Sequence, residues 1–195
     1  GFVRSVAEDL IQGPADGVAS PPLLGSAQRI WRRAGFQPFL ELHLYRRSLA
    51  TPIESPSAPV KVASHPDWPR LADVDRTAFD TQWRMSQLAL QEAHAATPRA
   101  AVLITDDGPR ITGFAVVGIG GTTSYLQRIA VDPAFQGEGL GRSLVRTALS
   151  WSSRRGALTM MLNTQPENVA SAGLYRAEGF ARMSSDLDVL RYAQS

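Results

Sequence analysis

The chain of 195 residues contains no cysteine, a single lysine and three histidines. Without cysteine there are no disulfides, no thiolate metal ligands and no cysteine nucleophile. His43, His65 and His94 lie far apart in the sequence, at none of the spacings typical of metal ligands. We therefore expect neither a metal site nor covalent catalysis through a thiol.

Excess charge of one sign and long apolar runs are also lacking. The net charge is +2 and Lys61 is the only lysine, whereas a nucleic-acid-binding domain usually carries a concentrated basic face. No apolar run approaches the roughly 20 residues of a membrane span, and the first residues do not form a signal segment. These absences predict a cytoplasmic protein that binds neither nucleic acid nor membrane.

What is present indicates a mixed α/β fold. After residue 60 the apolar periodicity and the turn residues give the order β-α-α-β-β-β-α-β-α-β. The predicted strands are residues 60–63, 101–105, 111–117, 124–131, 157–163 and 187–192. The predicted helices are residues 67–79, 86–95 and 168–178, and one that follows the glycines at 137–141 and ends at about residue 155.

The first fifty residues form a separate pattern. Strands at 2–6 and 38–46 flank a helix at 25–34, and the proline-rich residues 51–59 form a linker that predicts a domain boundary. Residues 30–36 can be aligned with residues 174–180, since each segment has an apolar-aromatic pair and ends in Gly-Phe. Either both segments end a helix in the same common way, or residues 1–50 are a partial second copy of the C-terminal region.

Three alternate glycines follow the strand at 124–131 and begin a helical pattern. Glycines let the backbone approach a ligand closely, and the free N–H groups of a helix start can hold phosphate oxygens. A dinucleotide fingerprint would need glycine where Arg142 stands, and the Gly-Lys-Ser/Thr of a P-loop is absent. The sequence thus predicts another kind of phosphate site, formed by Gln136, Gly137, Glu138, Gly139, Leu140, Gly141 and Arg142.

This loop reads Q-x-x-G-x-G, and a second motif runs from Asn168 through Tyr175 to Gly179-Phe180. Together the two motifs resemble the acetyl-CoA-binding motifs of the GCN5-related N-acetyltransferase (GNAT) family, in the same order and at a similar separation. The resemblance covers about residues 60–192. It implies an α/β GNAT fold with a mixed, largely antiparallel sheet, splayed at the acetyl-CoA site, and helices on both faces.

The resemblance also divides the chain. Residues 60–195 would be the acetyl-CoA-dependent N-acetyltransferase domain, and residues 1–50 a partial GNAT-like β-α-β appendage. The implied cofactor is acetyl-CoA, the acetyl thioester of coenzyme A. Whether the chain forms a homodimer stays open.

Cofactor contacts follow from the resemblance. The loop would hold the pyrophosphate, and the pantetheine arm would lie between strands 126–131 and 157–163, with the N–H of Ile129 polarising the thioester carbonyl. The further implied contacts are Ala130, Val131, Asn163, Asn168 and Tyr175. Glu138 departs from the family's basic or neutral residue, so we expect its side chain in solvent, with Arg142 as the compensating cation.

Tyr175 is the implied general acid. A phenol, whose ordinary pKa is about 10, can protonate a thiolate whose conjugate acid has a pKa of about 8.5. The alternative is an aromatic ring that only packs on the sheet. The general base stays open between Asp80, Glu167 and a water chain, because Asn163 stands where some relatives carry a glutamate.

Residues 79–85 are the candidate acceptor wall. It includes Phe79, Asp80, Trp83 and Arg84, although core packing explains the spacing of the two aromatic residues equally well. Tyr125 and Gln127 alternate with Leu126 and are predicted to face the acceptor. The predicted reaction is direct transfer of an acetyl group to a small-molecule or peptide amine in a ternary complex. The rival is a non-catalytic acyl-CoA-binding or regulatory module.

Overall fold

The computed structural model describes residues 18–192. Along these residues the strands are β1 Val18–Ala19, β2 Gln37–Ser48, β3 Lys61–Val62, β4 Arg99–Asp107, β5 Arg110–Gly120, β6 Thr123–Val131, β7 Thr159–Thr164, β8 Ala181–Arg182 and β9 Leu187–Tyr192. The α-helices are α1 Gln28–Arg33, α2 Trp68–Ala78, α3 Gln87–Ala95, α4 Leu140–Ser153 and α5 Val169–Ala177. The strand predicted at residues 2–6 lies outside the described residues.

The chain divides into two compact units. The described part of the first unit comprises residues 18–45, 163–172 and 182–192, and the second unit comprises residues 46–162 and 173–181. The residues predicted as a linker, 51–59, belong to the second unit. So do the glycine loop and the candidate acceptor wall.

The second unit contains a sheet with the strand order β7-β6-β5-β4-β3. The pairs from β3 to β6 are antiparallel, and β6 and β7 are parallel. The strands predicted at 101–105 and 111–117 are confirmed as the antiparallel pair β4 and β5, and Gly108 in the turn between them has φ 66°. The mixed, mostly antiparallel sheet expected from the sequence is therefore present.

Helices α2 and α3 pack on one face of β4, β5 and β6. The buried residues of this cluster are Leu71, Val74, Leu90, Val102, Phe114, Val116 and Ala130. Both helices start at side-chain caps: Asp67 accepts a hydrogen bond from the Arg70 N–H at 3.2 Å, and Ser86 accepts one from Ala89 at 3.1 Å. The sequence predicted both helices within one or two residues.

Helix α4 lies against the same strands. Two of its leucines, Leu144 and Leu149, are fully buried, and the hydroxyl of Ser152 lies 2.6 Å from that of Ser124 on β6. Because side chains alternate along a strand, Ser124 marks the face of the sheet that α4 covers.

The first unit contains β1, β9 and β2 in that order, all antiparallel. Phe36 and Leu190 form its small core, and the Trp31 ring meets the Phe36 ring edge-on at 4.9 Å. The sequence predicted β2 and β9 as strands, but it did not predict that they pair.

Helices α1 and α5 end with the same backbone geometry. The Phe36 N–H donates to the Trp31 carbonyl at 3.1 Å, and the Phe180 N–H donates to the Tyr175 carbonyl at 3.0 Å. The preceding glycines, Gly35 and Gly179, have φ 98° and 81°, which glycine adopts readily. This ending accounts for the similarity of the two segments, and a partial second copy stays a prediction.

Candidate active site

A β-bulge interrupts β6. Leu126 pairs with Val117 of β5, but Arg128 pairs with Val116, so Gln127 is an extra residue without a partner on β5. The extra residue reverses which face the following side chains occupy.

The reversal separates β6 into two parts. Ser124, before the bulge, faces α4, whereas Ala130, after the bulge, belongs to the cluster with α2 and α3. Simple alternation would place both residues on one face. The bulge therefore places Arg128 on the face of α2.

Strands β6 and β7 pair only at their beginnings. Their register runs from Thr123↔Thr159 to Tyr125↔Met161, and no later pair joins them in the described residues. After that point every second residue of β6 directs its N–H and C=O away from β5. An extended, amide-containing chain could pair with this edge, which includes Ile129, Ala130 and Val131.

The glycine loop leads from β6 into α4. Gly137 and Gly139 have φ 84° and 81°, and Gly139 is the N-cap of α4. A Cβ on Gly137 would meet no atom within 4 Å, so the space above the loop is open. The first N–H groups of a helix lack intrahelical partners, and the loop thus fits an anionic ligand.

The polar side chains of the loop are exposed. The side-chain amide of Gln136 donates to the Val131 carbonyl at 3.0 Å and fixes the turn. Glu138 is exposed, as we expected. The loop therefore offers backbone groups rather than a buried cation to a ligand.

Arg142 does not compensate Glu138, contrary to our expectation. Its Nε lies 3.2 Å from Oε1 of Glu178, which is buried. Glu178 also accepts hydrogen bonds from Arg146 at 2.9 and 3.0 Å, and this raises the pKa of Arg146. Burial lowers the pKa of the neighbouring Arg47, and Glu178 opposes that change. A buried carboxylate therefore binds the one arginine of the loop.

Residues 54–58 lie along the first turns of α4. The buried Ser143 hydroxyl accepts a hydrogen bond from the Ala58 N–H at 3.0 Å and lies 3.3 Å from the Ser57 hydroxyl. Arg146 donates to the Ser55 carbonyl at 3.1 Å and pairs with Glu54. The segment predicted as a linker is thus bound to the helix that begins at the glycine loop.

Tyr175 is buried, with 4% of its surface exposed. Its ring meets the Phe180 ring at 6.0 Å with an interplanar angle of 63°. Helical geometry places it two turns after Asn168. Burial and ring packing are compatible with both roles that the sequence left open.

The two asparagines belong to the first unit. Asn168 caps α5, since its Oδ1 accepts a hydrogen bond from the Ser171 N–H at 3.1 Å. Asn163 and Glu167 are exposed. Their contacts to a cofactor or an acceptor stay predictions.

The candidate acceptor wall is partly ordered by its own contacts. Phe79 and Trp83 are half-buried, whereas Asp80 and Arg84 are exposed. The Arg84 guanidinium donates to the Phe79 carbonyl at 3.0 Å. Phe79 also packs against the α2–α3 cluster, so the packing interpretation holds for this residue.

Tyr125 and Gln127 differ in their surroundings. Tyr125 is 40% exposed. Gln127 is half-buried, and its Oε1 is buried without a hydrogen-bond partner among the described residues. An unpaired buried acceptor of this kind costs free energy unless a ligand or water donates to it.

Sequence reasoning missed two charged residues beside this wall. Arg128 and the fully buried Asp75 form a bidentate ion pair, with Nε–Oδ2 and Nη2–Oδ1 distances of 2.5 and 2.8 Å. Arg128 also donates to the Trp83 carbonyl at 2.8 Å. The available signal was an aspartate directly after Val74 on the apolar face of a helix, together with an arginine inside an apolar strand.

A group of potential metal ligands occurs in the first unit. Glu41, His43 and Asp186 place ligand atoms within 4.8 Å of one another. Arg182 donates to both carboxylate oxygens of Asp186, at 3.0 and 2.8 Å, so the aspartate already has a cationic partner.

In residues 18–192 no helix combines the length and the apolar character needed to cross a membrane.

Comparison with known proteins identifies the class to which this fold and site belong. Residues 68–180, more than half of the chain, match the Acetyltransferase (GNAT) family. The chain belongs to the GNAT acetyltransferase family.

Among its relatives, the mycothiol acetyltransferase of Nocardia farcinica is 29% identical over 83% of this chain and 59% of its own length. The [ribosomal protein bS18]-alanine N-acetyltransferase of Salmonella typhimurium is 37% identical over 40% of this chain and 51% of its own length. The chain thus spans between half and three-fifths of these curated relatives.

A solved structure shows the same fold. The GCN5-related N-acetyltransferase from Sphaerobacter thermophilus superimposes with a TM-score of 0.64 at 18% identity, covering 95% of this chain and 63% of that chain. The likeness extends beyond the residues that match the family.

Proposed function

We propose that the chain transfers an acetyl group from acetyl-CoA to an amine by direct attack in a ternary complex. One observation carries the proposal: β6 loses its partner β7 after Tyr125 and then leads directly into a glycine loop at the start of α4. A pantetheine arm needs a free strand edge, and a pyrophosphate needs free N–H groups, in this order.

The residues of the second unit fit acetyl-CoA, which supplies the acetyl group as a thioester when bound. The N–H groups of residues 137–142 would hold the phosphate oxygens, and the edge of β6 from Ile129 to Val131 would pair with the pantetheine amides. The Ile129 N–H would polarise the thioester carbonyl. Arg142 would add little, because Glu178 already binds it.

Tyr175 would donate its phenolic proton to the departing CoA sulfur. Its burial supports this role, since a dry site excludes bulk water as a competing proton donor. The acceptor amine must lose a proton before attack. Asp80, which is exposed at the acceptor wall, Glu167 and a water chain remain the candidates for that base.

The acceptor would be a small-molecule or peptide amine that reaches the thioester past residues 79–85. The half-buried Phe79 and Trp83 give this wall an apolar part, and Asp80 and Arg84 give it charges of both signs. The unpaired Oε1 of Gln127 would accept a hydrogen bond from the amine.

The test is CoA thiol release with an amine panel comprising an alanine-initiated peptide, lysine, spermidine and an aminoglycoside. The proposal predicts release that depends on one class of amine. It also predicts that Tyr175→Phe and Gly139→Glu each lower kcat/KM. Tight acetyl-CoA binding without turnover on any amine would instead favour a non-catalytic acyl-CoA-binding module.

A further inference from the structure

We propose that Arg128 and Asp75 are positioning residues, which hold the acceptor wall, residues 79–85, against the bulged strand β6. The inference rests on the proposed transferase function, because it assigns these residues to the acceptor side of that site. Neither residue needs to touch the acceptor. Their role is to fix the backbone that does.

The two side chains satisfy backbone groups on both sides of Arg84. Oδ2 of Asp75 accepts from Arg128 Nε at 2.5 Å, and Oδ1 accepts from Arg128 Nη2 at 2.8 Å. Oδ1 also accepts from the Met85 N–H at 2.7 Å, and Nη2 also donates to the Trp83 carbonyl at 2.8 Å. One ion pair thus holds the wall at two points.

The aromatic part of the wall contacts the same guanidinium. The centre of the Arg128 guanidinium lies 3.6 Å from the centroid of the Phe79 ring, a cation–π contact. Phe79 begins the wall and Met85 ends it, and both contact the ion pair. Between them the regular structure is the short 3-10 helix Thr81–Trp83. The ion pair adds bonds at Trp83 and Met85 to the wall's own hydrogen bond from Arg84 to the Phe79 carbonyl.

The charges of this pair bind backbone groups of the wall that apolar side chains could not bind. Asp75 is fully buried and Arg128 has 13% of its side chain exposed. Well-packed apolar residues often replace a buried ion pair without loss of stability. An apolar pair could not satisfy the Trp83 carbonyl and the Met85 N–H, whereas this pair does.

The bulge links the pair to the thioester edge. Arg128 reaches the face of α2 only because Gln127 adds one residue to β6. The strand that would hold the thioester therefore also holds the acceptor wall. A displacement of Arg128 should move the wall while leaving the glycine loop unchanged.

The test uses a double variant, Arg128→Met with Asp75→Leu, which replaces the guanidinium and the carboxylate by apolar groups. The control, Arg76→Met with Asp73→Leu, makes the same changes at an exposed ion pair of 2.9 Å on the same helix. Amide hydrogen exchange by NMR follows Met85, and steady-state kinetics use the best amine of the panel.

In the double variant the Met85 amide should exchange at least about tenfold faster, which reports the loss of its Asp75 acceptor. The KM for the amine should rise about tenfold while the KM for acetyl-CoA stays within about twofold. The control should change none of these values. Arg128→Lys keeps the charge but loses the planar guanidinium that donates to two acceptors at once, so it should show a smaller change in the same direction. This variant replaces the double variant if the latter does not fold.

Unchanged Met85 exchange, or an equal rise of both KM values, would overturn the inference. If the unmodified protein releases no CoA with any amine, the proposed function fails instead. Hydrogen exchange at Met85 in Arg128→Lys then decides the positioning role, because this variant keeps the Asp75 acceptor and the measurement needs no turnover.

Discussion

The Nε atom of Arg142 lies 3.2 Å from the carboxylate of Glu178. This relationship connects the last residue of the glycine loop to the residue just before Gly179, where α5 has ended. Glu178 is 6% exposed and binds Arg146 as well. A buried carboxylate just after the end of α5 therefore holds that end against the first turns of α4.

Glu178→Gln should destabilise the second unit, because it removes a buried charge that three arginines surround. We expect the free energy of unfolding to fall by about 2–3 kcal/mol, measured by denaturant titration. The control Asp73→Asn, at an exposed pair, should change it by no more than about 1 kcal/mol. If the free energy of unfolding falls by no more than in the control, the ion pairs of Glu178 do not stabilise the second unit.

Gly137→Ala tests the glycine loop against a matched glycine elsewhere. Gly137 and Gly108 have φ 84° and 66°, and a Cβ on either would meet nothing within 4 Å. Both alanine variants should lose about 1–2 kcal/mol of stability through backbone strain. Only Gly137→Ala should also raise the KM for acetyl-CoA, by about tenfold. Equal KM values in the two variants would argue against phosphate binding at the loop.

Local signals in the sequence predicted most of the elements. Ser86 and Asp67 mark helix starts, Gly156 and Gly179 mark helix ends, and β9 was predicted with its observed bounds. Such caps and turns depend on neighbouring residues only. For the same reason the glycine loop could be assigned before its geometry was known.

Contacts between distant residues could not be predicted in the same way. Strict alternation along β6 predicted that Gln127 and Leu126 lie on opposite faces of the strand. The bulge at Gln127 depends on how β5 and β6 align, and local sequence patterns do not determine that alignment. Asp75 and Arg128 are far apart in the sequence and meet only because of that bulge. Arg142 was assigned to Glu138 by proximity in sequence, whereas the fold provides Glu178.

Removal of one partner of the Arg128–Asp75 pair should be more destabilising than removal of both. Arg128→Met leaves the fully buried Asp75 without a cation, so we expect a loss of about 3–5 kcal/mol. The double variant with Asp75→Leu should recover at least about half of that loss. Thermal and denaturant unfolding of the two variants provide the comparison. A double variant less stable than Arg128→Met would refute the assumption of an uncompensated buried charge.

Tyr175→Phe should separate catalysis from packing. The variant keeps the ring that meets Phe180, so kcat should fall by at least about 100-fold while the KM for acetyl-CoA changes little. Phe180→Leu removes the ring contact but keeps the phenol. It should lower the free energy of unfolding and leave kcat nearly unchanged. If Tyr175→Phe leaves kcat unchanged, Tyr175 is a packing residue and another group protonates the thiolate.

The reaction proposed for this chain is direct transfer of the acetyl group from acetyl-CoA to an amine. Its most direct test is mass spectrometry of the protein and the amine, combined with CoA quantification, before and after the amine is added to protein mixed with acetyl-CoA. We expect no acetylated protein and no CoA release at first, followed by one CoA for each acetylated amine. CoA release without amine, or bound acetyl-CoA that no amine ever consumes, would contradict it.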